Sequence, residues 1–200
     1  MGRMLRVFSM LLAAVALSGC ATGFLLDNQV QSFSHLTALP SPATYRFERI
    51  PSQQADPAQS ALEALADPAL HRAGLRRDDA APRYSVQVSA RTLRMLSPYA
   101  DPWDGWGGGW GMGLGGRGVS IGFGMPFGRM ESPWFQREVR VLMRELATNQ
   151  VVYETSATNS GPWLDNRVVL PAMFDAAMQG FPTPPPGPRR IDIQVGTNSP

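Results

Sequence analysis

Tyr84-Ser85-Val86-Gln87-Val88-Ser89-Ala90-Arg91 decides the fold. Tyr84, Val86, Val88 and Ala90 alternate with Ser85, Gln87, Ser89 and Arg91, which is the period of a β-strand with one face buried and the other wet. Alternation of this kind needs a sheet to sit in, so the neighbouring segments have to supply partners. Val139, Val141 and Met143 repeat the pattern against Arg140, Leu142 and Arg144. After the polar turn Thr148-Asn149-Gln150 it resumes in Val151, Tyr153 and Thr155, so these two segments predict a hairpin.

Upstream, residues 43–50 read as a first strand, with Tyr45 and Phe47 on one face and Arg46 and Glu48 on the other. Pro51 ends it. Asp56-Pro57 then opens a helix, with Asp56 as N-cap, Pro57 at the first helical position and Gln59 placed to complete a capping box. Ala58, Leu62, Leu65, Ala66 and Leu70 form its apolar stripe, Asp67-Pro68 predicts a kink or restart, and Gly74 is a C-terminal stop. Downstream, Asp165-Asn166 caps a second helix whose stripe is Val169, Met173, Ala176, Ala177 and Phe181. Residues 182–188 form a proline-rich linker, Ile191, Ile193 and Val195 a last short strand, and 196–200 a tail.

Strands and helices in this order predict an α+β fold: a mostly antiparallel sheet of four to five strands with two helices on one face. The chain divides into residues 1–19, a leader; 20–42, a polar and irregular tether; and 43–195, a single domain. At 200 residues the length suits one core.

The leader is where the chemistry is clearest. Arg3 and Arg6 precede an apolar run from Val7 to Leu17, too short for a membrane-spanning helix, which needs about 20 apolar residues. It ends in Leu17-Ser18-Gly19-Cys20, which resembles the lipobox of bacterial lipoproteins. That resemblance implies cleavage between Gly19 and Cys20, a diacylglyceryl group on the Cys20 sulfur, and a further acyl chain on its amine. Ala21, not Asp, follows the anchor, which by the sorting rule of enteric bacteria implies an outer-membrane address facing the periplasm. As a random coil the tether would hold the domain about 25 Å from the membrane, with Phe24, Leu25 and Leu26 beside the lipid.

All 18 basic residues are arginine, and two of them, Arg3 and Arg6, leave with the leader, so 16 face 16 acids in the mature chain. A neutral protein lacks the basic excess that nucleic-acid binding requires. Cys20 is the sole cysteine, so neither an intramolecular disulfide nor a cysteine-ligated metal site can form.

Residues 100–130 form a glycine- and tryptophan-rich insert holding Trp103, Trp106 and Trp110. So much glycine makes ordered structure costly in backbone entropy. Gly111-Met112-Gly113-Leu114-Gly115-Gly116 satisfies G-x-G-x-x-G, but a dinucleotide site needs a buried strand before it and a helix after it. Three readings stay open: a mobile hairpin extension, an aromatic surface for a protein or membrane partner, and Trp platforms that stack on envelope glycan.

Taken in order, the pieces resemble the bacterial lipoproteins grouped as domain of unknown function 4136. The likeness runs from about Tyr45 to Pro182. It rests on the lipobox, the early aromatic strand, the helix ending at Gly74, a strand before the Gly/Trp insert, Val139-Arg140-Val141-Leu142 with Val151-Val152-Tyr153-Glu154, and the closing Gly180-Phe181-Pro182. Tyr153-Glu154-Thr155 departs from the family's Trp-containing pattern, and Ile191 to Val195 extends past its usual end. The resemblance implies fold and address, and carries over no catalytic residue.

Imidazoles occur only at His35 and His71, and neither H-E-x-x-H nor G-x-S-x-G appears. No catalytic, metal or cofactor site is assigned. The functional expectation is a non-catalytic, lipid-anchored envelope protein that binds a partner or supports the envelope, with peptidoglycan binding through the insert as the alternative and a hydrolase behind both.

Overall fold

The computed structural model describes residues 23–98, 112–115, 118–121 and 133–196. Its strands are β1 (Phe24–Ser34), β2 (Thr44–Phe47), β3 (Arg76–Arg77), β4 (Tyr84–Met95), β5 (Met112–Gly115), β6 (Gly118–Ile121), β7 (Trp134–Glu145), β8 (Gln150–Gly161) and β9 (Arg189–Val195). Two helices, α1 (Pro57–Arg72) and α2 (Asn166–Met178), complete the fold. Seven strands form one sheet in the order β3-β2-β4-β7-β8-β1-β9, and β5 pairs with β6 apart from it.

The α+β class and the two helices match expectation; the sheet does not. It has seven strands, not four to five, and it is mixed, because β2 runs parallel to both β3 and β4. The parallel pairs follow from connectivity: α1 lies between β2 and its partners, and a helical crossover returns the chain in the same direction.

The larger correction concerns the tether. Residues 24–34 are not a linker but β1, paired antiparallel with β8 on one side and β9 on the other. Leu26 and Val30 are buried, and the ring of Phe24 stacks on that of Trp163 with centroids 3.9 Å apart. Phe24 and Leu26 therefore serve the core, whereas Leu25 faces solvent.

The hairpin forms as read, with β7 and β8 joined through Asn149 at φ 57°. Val86, Val88, Val139, Val141, Met143, Tyr153 and Ala157 line the inner face of the sheet. α1 lies over β4, α2 lies over β1, β7, β8 and β9, and the helices touch each other. The Arg72 guanidinium and the Asp175 carboxylate tie them together. The opposite face is open and polar, with Gln29, Gln31, Ser89 and Arg140 exposed.

Both caps are present: Asp56 accepts from the Ala58 N–H at 2.8 Å and Asp165 from the Arg167 N–H at 2.9 Å. Gln59 does not close a capping box. It is buried and donates to Glu63 and to the Val88 carbonyl. α1 also runs through Pro68 without a break. Pro68 removes one helix donor, but Ala66, Ala69 and Leu70 are buried on either side of it and hold the turn against the sheet. Phe181 lies beyond the end of α2 and packs edge-on to Tyr153, with centroids 4.9 Å apart.

Candidate interaction surface

The long β4–β7 ladder sets the geometry. It runs from Tyr84 opposite Glu145 to Met95 opposite Trp134. From Ser89 onward every β4 residue is exposed, so this half of β4 forms an uncovered arm along β7, which stays paired with β8 and keeps Arg137 and Val139 buried. The arm ends where the Gly/Trp-rich insert begins. Leu93 and Met95 fall on its open face, and Leu96, just beyond, is 82% exposed. Trp134, opposite Met95, donates its indole N–H to Ser160 Oγ at 2.6 Å, which fixes the ring against β8.

Beneath this end, the inner face of the sheet is polar. Arg137 is only 1% exposed. Its Nε donates to Asn166 Oδ1 at 2.7 Å and its Nη2 donates to the Trp163 carbonyl. The guanidinium also lies over the Phe135 ring, 4.9 Å from the centroid. These contacts bolt β7 to the connection between β8 and α2.

Among the described residues no carboxylate pairs with Arg137 and its Nη1 has no hydrogen-bond partner. Burial alone pushes the guanidinium below the usual arginine range. Asn159, opposite Arg137 in the ladder, donates to the Asp27 carbonyl at 2.9 Å, and Asn28 donates to Leu26 and Ile191 carbonyls at 3.2 Å each. The row of inward amides thus clips the backbones of β8, β1 and β9 together.

The connection that Arg137 holds is tight. A Cβ built on Gly161 would sit 2.8 Å from the Trp163 indole nitrogen. Trp163 in turn covers Phe24, and Leu164 next to it is 70% exposed.

Elsewhere, shallow grooves occur among the described residues. One, of about 480 Å³, lies between the helix ends at Ala69, Arg72, Asp175 and Phe181. Another, of about 490 Å³, is bordered by Ser32, His35, Leu36 and Pro184. His71 Nε2 is 3.9 Å from Asp67 Oδ2, and Asp67 also accepts from the Tyr45 hydroxyl. Tyr45 is fully buried, and burial together with the Asp67 carboxylate raises its phenol far above the usual tyrosine range. A phenol so placed braces the core and cannot meet a ligand. Among the described residues there is no group of three or more His, Cys, Asp or Glu that could hold a metal ion.

The residues singled out from the sequence, Gly19, Cys20, Trp103, Trp106 and Trp110, all lie outside the described residues. Sequence reading missed Arg137, Asn159 and the exposed Leu93 and Met95. A signal for Arg137 was present: it stands two residues before Val139 and so shares the inward face of that strand.

The sequence profile of the family "Domain of unknown function (DUF4136)" matches residues 29–183. The chain belongs to this family. The match starts inside β1, consistent with that strand being part of the domain, and stops before β9. No curated protein matches the chain. Among solved structures, a PelC dodecamer from Paraburkholderia phytofirmans is 11% identical with a TM-score of 0.46, over 82% of this chain and 100% of that one. A PDZ domain protein from Parabacteroides distasonis is 13% identical with a TM-score of 0.40, over 94% of this chain and 43% of that one.

Proposed function

We propose that this protein is a non-catalytic lipoprotein of the bacterial envelope, held at the outer membrane by lipid on Cys20, facing the periplasm and acting there as a binding or structural module. One observation carries the reading furthest: the first strand of the sheet begins at Phe24, four positions after the lipobox cysteine. The folded domain is thus built directly onto the anchor rather than hung from a long tether. Its interaction end is the end that bears the arm and the insert.

Replacing Cys20 with Ala tests the anchor. The variant leaves the membrane fraction for the soluble periplasm, and continued membrane association would point to another means of attachment.

A second reading, peptidoglycan recognition by Trp103, Trp106 and Trp110, draws support from the insert following in sequence on β4, whose last residues are exposed. It predicts that retention on purified peptidoglycan falls when all three become Ala. Unchanged retention removes it.

A further inference from the structure

The exposed apolar side chains are not scattered. Six of the nine large ones among the described residues, Leu25, Leu93, Met95, Leu96, Leu164 and Val168, belong to one end of the sheet. The register shows why they gather. Met95 is opposite Trp134, the next rung pairs Phe135 with Arg94, and Phe135 is opposite Gly161 of β8. On the other side of β8, Gln29 is opposite Thr158, and the ladder carried on from there brings Leu25 level with the start of the β8–α2 connection. Leu164 lies in that connection and Val168 in the first turn of α2. Of the remaining three, Leu146 lies at the opposite end beside Arg83, Phe33 stands opposite Glu154 toward that end, and Ile50 follows β2.

This end is also where the chain comes in from the anchor. From Cys20 to Phe24 the backbone can span at most about 14 Å, taking about 3.5 Å per residue. The polar layer of a bilayer leaflet is only about 5–8 Å thick. An anchored Cys20 therefore keeps the Phe24 end of the sheet beside the lipid headgroups, and the opposite end cannot take its place.

Cations suited to that setting are present. Arg91 and Arg94 near the tip of β4 are exposed, and neither forms an ion pair among the described residues. An arginine at such a rim lays its aliphatic stem along apolar surface and presents its guanidinium to phosphate.

We infer that the β4–β7 arm end of the domain, rimmed by Leu25, Leu93, Met95, Leu96, Leu164 and Val168, seats in the interface of the bilayer that carries the lipid anchor. The occupant of this surface is the membrane itself. The inference rests on Cys20 being lipidated. It gives the domain a fixed orientation, with the Leu146 turn pointing away from the membrane and the insert starting at the membrane face.

The test uses the full lipidated chain reconstituted in vesicles of phosphatidylethanolamine and phosphatidylglycerol. Lipid occupies the thiol of Cys20, so an introduced cysteine is the single free thiol. A polarity-sensitive fluorophore is attached to Leu164→Cys or Leu93→Cys, and to Leu146→Cys as the control. Flotation reports anchoring, and quenching by nitroxide-labelled lipid reports seating.

Seating predicts several-fold stronger quenching at 164 and 93 than at 146. Equal quenching at all three positions, in chains that float, overturns the inference and leaves the anchor standing. A chain that fails to float overturns both. The Cys20→Ala chain with the probe at 164 separates the two further: quenching that persists shows seating by the surface alone.

Discussion

Replacing Arg137 tests the bolt that holds the β8–α2 connection to the sheet. Arg137→Ala removes two charge-assisted hydrogen bonds, to Asn166 Oδ1 and the Trp163 carbonyl. Bonds of that kind contribute about 1.5–3 kcal/mol each, and the abandoned acceptors lose their partner in a buried site. Loss of the packed aliphatic stem adds to this, while release of a buried, unpaired charge offsets part of it. The balance is a destabilisation of about 3–5 kcal/mol. Arg137→Met keeps most of the stem and buries no charge, so its cost should be about 1–2 kcal/mol. Urea unfolding followed by circular dichroism measures both, with the midpoint carrying the effect if the slope is unchanged. An Ala variant within about 0.5 kcal/mol of the parent would refute the bolt. A Met variant less stable than the Ala variant would refute the view that the charge is a cost partly offset by its bonds.

Gly161→Ala forces the Trp163 ring off its seat, and a cost of about 1–3 kcal/mol is expected in thermal unfolding, with loss of the Phe24 ring contact seen by NMR. Deleting residues 24–34 removes an interior strand of the sheet, and the truncated chain should lose cooperative unfolding, whereas removal of a mere tether would leave it intact. Asp165 is held below the usual aspartate range, mainly by the N–H of Arg167. A carboxylate lowered in the folded state stabilises above its unfolded pKa, about 3.9, and that contribution is lost as pH falls through the folded value. Asp165→Asn should therefore flatten the decline in stability below about pH 4, and an unchanged acid profile would count against the cap.

Much of this was legible in the sequence, and the failures have physical causes. β4, the β7–β8 hairpin and both helix starts could be read because Val86, Val88, Val139 and Val141 alternate cleanly and Asp56 and Asp165 stand at caps. β1 escaped because half of its inward positions are polar: Leu26 and Val30 alternate with Asn28 and Ser32, which are buried and satisfied in part by other strands. Hydrophobic periodicity cannot detect an amide that enters the core to bond a neighbouring backbone. The parallel pairing of β2 was available from the strand–helix–strand order, but it was outweighed by the antiparallel hairpin nearby. β4 proved longer than its apolar pattern because its outer half needs no buried face, and β7 because a charged residue, Arg137, takes an inward position. The exposed Leu93 and Met95 of β4 look like ordinary strand residues until the register places them on the face opposite the helices, where they are exposed.

The most direct measurement is the intact mass of the full-length chain expressed in its own envelope and extracted from membranes. Anchoring through Cys20 predicts a species that lacks residues 1–19 and carries a diacylglyceryl group and an acyl chain on Cys20. A mass corresponding to an unmodified cysteine, or to a chain that still starts at Met1, would contradict it.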